Sequence, residues 1–155
     1  TQPSAPQPLA TVGNRLFFSA YDAVHGNELW TSDGPTGARM ISDVWPGSGS
    51  SAPYWLKSVN GKLFFYADDG VHGRELWVSD GQTDTRMVRD IFPGDKASNA
   101  GSSITMHDTL FFVADDGVHG RELWRSDGTE AGTALVKDII PGDKNSDPRM
   151  LTLVG

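Results

Sequence analysis

With 155 residues, 37% of them hydrophobic and 10% aromatic, the chain is long enough and apolar enough to bury a core, which excludes a disordered polypeptide. A formal charge of −7, from 20 acidic against 13 basic side chains with no basic cluster, argues against binding to nucleic-acid phosphates or to a membrane through basic residues. The chain has no cysteine, which rules out disulfides and thiolate metal sites but fixes no compartment.

In chain order, Thr1–Leu9 comes first, with neither the basic n-region nor the apolar h-region of an intact signal peptide. No apolar run is long enough to span a bilayer. The chain lacks an initiator Met, which predicts a mature, processed or excised piece. Leu16-Phe17-Phe18 follows, and it returns as Leu63-Phe64-Phe65 and Leu110-Phe111-Phe112, at an offset of 47 each time. Val-His-Gly at 24–26, 71–73 and 118–120 keeps the same spacing, as does Glu-Leu-Trp at 28–30, 75–77 and 122–124. Ser-Asp-Gly at 32–34, 79–81 and 126–128 follows, and each copy closes with Pro-Gly, at 46–47, 93–94 and 141–142. The third copy is one residue longer, within Thr129–Thr133. So many coincident offsets identify a tandem repeat.

The second copy shows the predicted elements of each unit. Strand A surrounds Trp55–Val59 and closes with Asn60-Gly61, a pair that accepts positive φ at both residues of a hairpin turn. Strand B is Lys62–Ala67, whose mixed apolar character fits burial on both faces. A polar loop, Asp68–Gly73, leads to strand C, Glu75–Val78, with Leu76 on one face and Trp77 on the other. Asp80-Gly81 starts a turn into strand D, Arg86–Ile91, which alternates polar and apolar residues until Pro93-Gly94 stops it.

Four strands in about 47 residues match one blade of a β-propeller. β-Helices use shorter repeats, and no helical periodicity supports an α-solenoid. The expected fold is therefore an all-β propeller of four-stranded blades within a single repeat domain, residues 1–155. Blade 1 would be residues 1–47, blade 2 residues 48–94, blade 3 residues 95–142, and 143–155 a fourth copy of strand A. In an up-and-down blade the B–C loop and the D–A linker share one face. Ser4-Ala5-Pro6 aligns with Ser51-Ala52-Pro53, and Val154 aligns with Val12, Val59 and Met106. Three blades make no comfortable ring, so two copies could close six blades and three copies nine; the alternative is an excised part of a longer array. A surplus strand A could pair with a neighbour through an open sheet edge.

Glu-Leu-Trp-x-Ser-Asp-Gly, followed by Thr-Glu-Ala-Gly-Thr and by Leu135-Val136-Lys137-Asp138-Ile139-Ile140-Pro141-Gly142, resembles the ELWxxDGT repeat family. The resemblance covers essentially the whole chain, and the third copy fits best. Copies one and two depart from it at Gly34-Pro35-Thr36-Gly37 and Gly81-Gln82-Thr83-Asp84. It implies propeller-like blades in large bacterial extracellular proteins, a secreted or cell-surface location, and a binding or scaffold role without a settled activity.

Each repeated polar residue has two readings. Asp68, Asp69, Asp115 and Asp116 are hard oxygen donors that calcium accepts, beside Gly70 and Gly117. Asp-Gly sequences also form turns without metal, and copy one has Asp22-Ala23 instead, losing a carboxylate and the glycine. His25, His72 and His119 suit zinc or a pH switch, or a structural hydrogen bond to a nearby Asp. Separate blades would keep them apart, which favours the structural role. His107 lies outside the repeat. Glu28, Glu75 and Glu122 would need a second carboxylate to act as catalytic acids; a bond to an Arg or to a backbone amide explains one per blade.

Trp30, Trp77 and Trp124 read as packing residues between blades. Trp45, Tyr54 and Trp55 flank the Gly/Ser-rich linker Pro46–Pro53, where aromatics can stack on sugar rings or simply close a strand end; Phe92 and Ile140 are the counterparts of Trp45. With His72 and His119, these three aromatics form the candidate ligand-binding set. No nucleophile elbow, P-loop or paired acidic constellation appears, and repetition itself argues against an active site. The expectation is a non-catalytic extracellular module, structural or binding, that assembles with copies of itself or with further repeats. A lectin-like propeller with equivalent sites between blades is the alternative. Calcium is the one cofactor the residues suggest, and glycans the one further partner.

Overall fold

The computed structural model describes residues 7–35 and 37–153, with side chains from Ala10 onward. Its twelve strands form three four-stranded antiparallel sheets, with no helix among the described residues. Sheet 1 holds β1 (Gln7–Val12), β2 (Arg15–Asp22), β3 (Gly26–Ser32) and β4 (Ala38–Ser42) in sequential order. Sheet 2 holds β5 (Tyr54–Val59), β6 (Lys62–Asp68), β7 (Arg74–Ser79) and β8 (Thr85–Arg89). Sheet 3 holds β9 (Gly101–Met106), β10 (Thr109–Asp115), β11 (Arg121–Ser126) and β12 (Ala134–Lys137). The chain is thus all-β, with one meander per repeat.

The alternation of side chains decides how the sheets stack. Along β6, Leu63, Phe65 and Ala67 join Trp77 in a cluster with Phe17, Leu29 and Val44 of the first repeat. The intervening Phe64 and Tyr66 join Leu76 and Val78 in a second cluster with Leu110, Phe112, Ala114 and Trp124 of sheet 3. Period-two geometry sends neighbours to opposite faces, so sheet 2 is buried on both. The core is therefore two layers, each between successive sheets.

Local chemistry repeats as well. Asn60 and Gly61 both adopt left-handed φ, 47° and 72°, as the β5–β6 hairpin turn requires. A register shift falls just before the Trp of strand C in each sheet, at Leu29/Trp30, Leu76/Trp77 and Leu123/Trp124. Two expected elements differ. Strand D of the second copy ends at Arg89, not Ile91, because the amides of Ile91 and Phe92 turn away to Glu75. Residues 143–153, expected as a fourth strand A, form no strand. They keep part of its path, since Asp147 and Met150 hold left-handed φ at the positions of Ala52 and Trp55. Ser4-Ala5-Pro6, Thr36 and Val154 lie outside the described residues.

Candidate functional site

Antiparallel meander topology puts the B–C loops and D–A linkers at one end of the sheets, and a repeated carboxylate organises that end. Glu28, Glu75 and Glu122 stand near the start of strand C, and all three are fully buried. Glu28 accepts the amide of Val44 at 3.1 Å, the amide of Ser51 at 2.9 Å and the Ser51 hydroxyl at 2.5 Å. Glu75 accepts the amides of Ile91 and Phe92, each at 3.2 Å, and of Ser98 at 3.1 Å. Glu122 accepts the amide of Ile139 at 3.3 Å and the Ser146 hydroxyl at 2.5 Å, while its Oε1 is buried without a partner. Among the described residues no arginine forms an ion pair with these carboxylates; backbone and serine donors satisfy them instead.

The serine joins two sheets. Ser98 donates its amide to Arg74 O and Glu75 of sheet 2, and its carbonyl accepts the amide of Asp115 in sheet 3, at 2.8 Å. Between sheets 1 and 2 the Ser51 amide goes to Glu28 and that of Ala52 to Asn27 O, while the Ser51 carbonyl accepts Asp68 N at 3.1 Å. Sequence reasoning passes over Ser51, Ser98 and Ser146. Their signal was recurrence at a fixed place after each Pro-Gly, hidden because a serine in a Gly/Ser-rich linker reads as generic loop.

The loops beside this weld are closed by Asp–His pairs. Asp69 Oδ1 accepts the amides of Val71 and His72, and Asp69 Oδ2 lies 2.7 Å from the His72 ring Nδ1. Asp116 and His119 repeat this geometry, and Asp22 and His25 provide the first-copy version. Asp68 and Asp115 each accept one further amide, from Gly70 and Gly117. The carboxylate partner raises each of the three histidines above the usual value, against burial, which lowers it. Burial works to raise Asp69 and Asp116, but the His amides and rings outweigh it and leave both lowered. The ring bond of His25 is the first cause lowering Asp22. Burial pushes Glu75 up to about 7 and raises Glu28 too, in part offset by Ser51.

The linker aromatics complete the contact between sheets. A Cβ added at Gly70 would lie 2.5 Å from the Trp45 ring, and one at Gly117 would lie 2.7 Å from Phe92. Each aromatic therefore rests on the loop of the following repeat. Tyr54 and Trp55 both pack on Tyr66, with ring centroids 5.6 and 4.8 Å apart, and Arg74 lies over Tyr54. The proposed sugar-stacking set is thus divided: Trp45 covers a glycine loop, and Tyr54 and Trp55 lie against sheet 2. Trp77 and Trp124 are buried and Trp30 half-buried; Phe65 packs on Trp77, and Arg89 of sheet 2 lies over Trp124 of sheet 3.

The opposite end is clamped by cations reaching across. Arg39 and Arg15 donate to Gly81 O at 2.9 and 3.1 Å, and Arg86 donates to Gly128 O at 2.9 Å. Each bond runs from one repeat to the C–D turn of the next.

No known family model matches this chain, and comparison with curated proteins finds no match. Among solved structures, a computationally designed protein, Ika8, is similar at 15% identity over 91% of this chain, with a TM-score of 0.45. The chain spans 39% of the length of that protein.

Chemically, the repeated end fastens the linkers at Ser51 and Ser98 to the sheets on either side, and the linker at Ser146 to sheet 3. Among the described residues no three His, Asp or Glu converge as a metal group. The Asp carboxylates proposed as calcium donors are committed to their own loop amides.

Proposed function

We propose that this chain is a non-catalytic structural or binding element, a run of propeller-like blades of the ELWxxDGT kind that works outside the bacterial cell and assembles with further copies of itself. The observation that carries this is the use of the repeated polar residues. Glu28, Glu75 and Glu122 bind the D–A linkers, and the Asp–His pairs close the adjacent loops. Residues retained for chemistry would converge on one point and break the repeat. These do neither, and their hydrogen bonds go to backbone and serine groups whose job is to hold sheets together.

The lectin-like alternative rests on Tyr54, the exposed aromatic of the linker region, though Tyr66 and Arg74 already hold its ring. A glycan array at high protein concentration tests it, and an empty array removes it. The main proposal is tested by sedimentation and negative-stain electron microscopy of the 155-residue chain. The expected result is a discrete multiple of 16.7 kDa with radially arranged sheets. A particle of 16.7 kDa at every concentration overturns the assembly.

A further inference from the structure

The two junctions between sheets show what each face of a repeat is built to meet, and the chain also presents one unmatched face of each kind. In the junction of sheets 2 and 3, the trailing face of sheet 2 buries Val88 and Ile91 to 3% exposure each. Their counterparts in the third repeat, Val136 and Ile139, are 43% and 52% exposed, and Ile140 beside them is 40% exposed. On the leading side, Leu63 and Leu110 are fully buried, but their counterpart Leu16 is 41% exposed. Gly81 and Gly128 lie under Phe17 and Phe64 of the preceding repeat, whereas a Cβ added at the equivalent Gly34 would meet nothing within 4 Å.

We infer that the trailing face of sheet 3 docks on the leading face of sheet 1 in a second copy of this chain, Ile140 resting on Ala23. The inference deepens the assembly half of the proposed function and rests on it. The choice of occupant comes from a size exchange. At the internal junctions a large aromatic opposes a residue without a Cβ, Trp45 on Gly70 and Phe92 on Gly117. At the open faces both positions change together: the aromatic becomes Ile140 and the glycine becomes Ala23. The smaller side chain leaves room for one methyl group, so the pair conserves volume, which close-packed interfaces demand.

The weld provides a second match. Ser146 is already fixed to sheet 3 through Arg121 O and Glu122, as Ser98 is fixed to sheet 2. The carbonyls of Ser51 and Ser98 accept Asp68 N and Asp115 N; the corresponding amide for Ser146 O is that of Tyr21 in the second copy. Leu151, aligned with the buried Leu56, lines one cavity with Phe111 and Leu123 on the docking face. The cation clamp is not repeated, because Thr109 and Ala134 replace Lys62 and Arg86. The contact between copies is therefore held by apolar packing. It is head-to-tail, so it closes a ring or propagates.

The test is sedimentation equilibrium on the full chain and four variants, each first shown to unfold with a wild-type transition. Ile140→Trp places a ring against the Ala23 methyl and weakens association at least about tenfold. Ala23→Gly alone changes it little, and Ile140→Trp with Ala23→Gly recovers it to within about threefold of wild type, because the pair restores the Trp-on-Gly junction. Leu16→Glu on the opposite face also weakens it. If copies assemble but neither Ile140→Trp nor Leu16→Glu matters, the inference fails while the proposed function stands. If Ile140→Trp weakens assembly and Ala23→Gly does not rescue it, the Ile140–Ala23 pairing is wrong. If the wild type is a monomer at all concentrations, the assembly reading falls and takes the inference with it.

Discussion

The Glu75 carboxylate accepts the backbone amide of Ser98 at 3.1 Å, across 23 residues and the boundary between two sheets. With the amides of Ile91 and Phe92, that makes three donors served by one buried side chain. Replacing Glu75 by Ala strands the amides of Ile91 and Phe92 and leaves that of Ser98 with Arg74 O alone. We expect a loss of about 2–5 kcal/mol in urea unfolding, since stranded buried donors cost far more than a bond is worth. Glu122→Ala should cost clearly less, because Glu122 holds one amide and one hydroxyl. Equal losses would mean that the carboxylate contributes by packing alone.

The same burial gives stability a pH dependence. Glu75 is pushed up to about 7 from the ordinary 4.5. With the folded value above the unfolded one, the folded protein binds more protons between them. The contribution is fully present below about 4.5 and is lost as the pH rises through about 7. Glu28 shifts in the same direction. The stability difference between wild type and Glu75→Gln should therefore fall across that interval. A difference that is flat or rises with pH contradicts the burial account of Glu75.

The strands were legible because alternation and turn chemistry are local. Leu63–Ala67 announces burial on both faces, and Asn60-Gly61 announces its hairpin. The weld was not legible, because nothing within strand C says where a carboxylate 23 residues from Ser98 finds its donors. The sequence left Arg and backbone amides as alternatives for Glu75, and the fold brings it the amides. Strand D was read two residues too long for the same reason: Asp90 and Ile91 continue the alternation, but the Ile91 amide is claimed by Glu75. The linker aromatics carried a signal that goes unnoticed one residue at a time. Trp45 and Phe92 precede a loop glycine at Gly70 and Gly117, and only the contact shows why.

The three histidines should titrate above 6.5 by proton NMR, each held up by its Asp partner. Asp69→Asn keeps an oxygen for the loop amides but removes the charge, so His72 should fall toward 6.5 while His119 stays where it is. For stability the signs oppose. A raised His stabilises below its unfolded value and loses that as pH rises through the folded one; a lowered Asp loses its contribution as pH falls. The loops are thus held best between the two titrations. A His72 value unchanged by Asp69→Asn would break the pairing.

Calcium would have to compete with bonds already made. Asp68 Oδ1 holds Gly70 N at 2.8 Å, and both oxygens of Asp69 are engaged by the amides and ring of the same loop. Thermal unfolding in excess EDTA and in millimolar calcium should therefore give the same midpoint. A higher midpoint with calcium would show that these carboxylates rearrange around a metal, since a ligand that binds only the native state must stabilise it.

Gly70 separates backbone strain from steric conflict. Gly61 and Gly70 both hold left-handed φ, 72° and 80°, so alanine at either pays for that conformation, about 1 kcal/mol. At Gly61 the new methyl meets nothing within 4 Å, whereas at Gly70 it would sit 2.5 Å from the Trp45 ring. Gly70→Ala should therefore lose a further 1–3 kcal/mol or so in equilibrium unfolding, the usual range for forcing a methyl into a packed layer. A double-mutant cycle isolates the cause: in a Trp45→Ala background the ring is gone, and the cost of Gly70→Ala should fall to that of Gly61→Ala. If the cost is the same with and without Trp45, the aromatic does not bear on the loop, and the size exchange between Trp45–Gly70 and Ile140–Ala23 loses its physical basis.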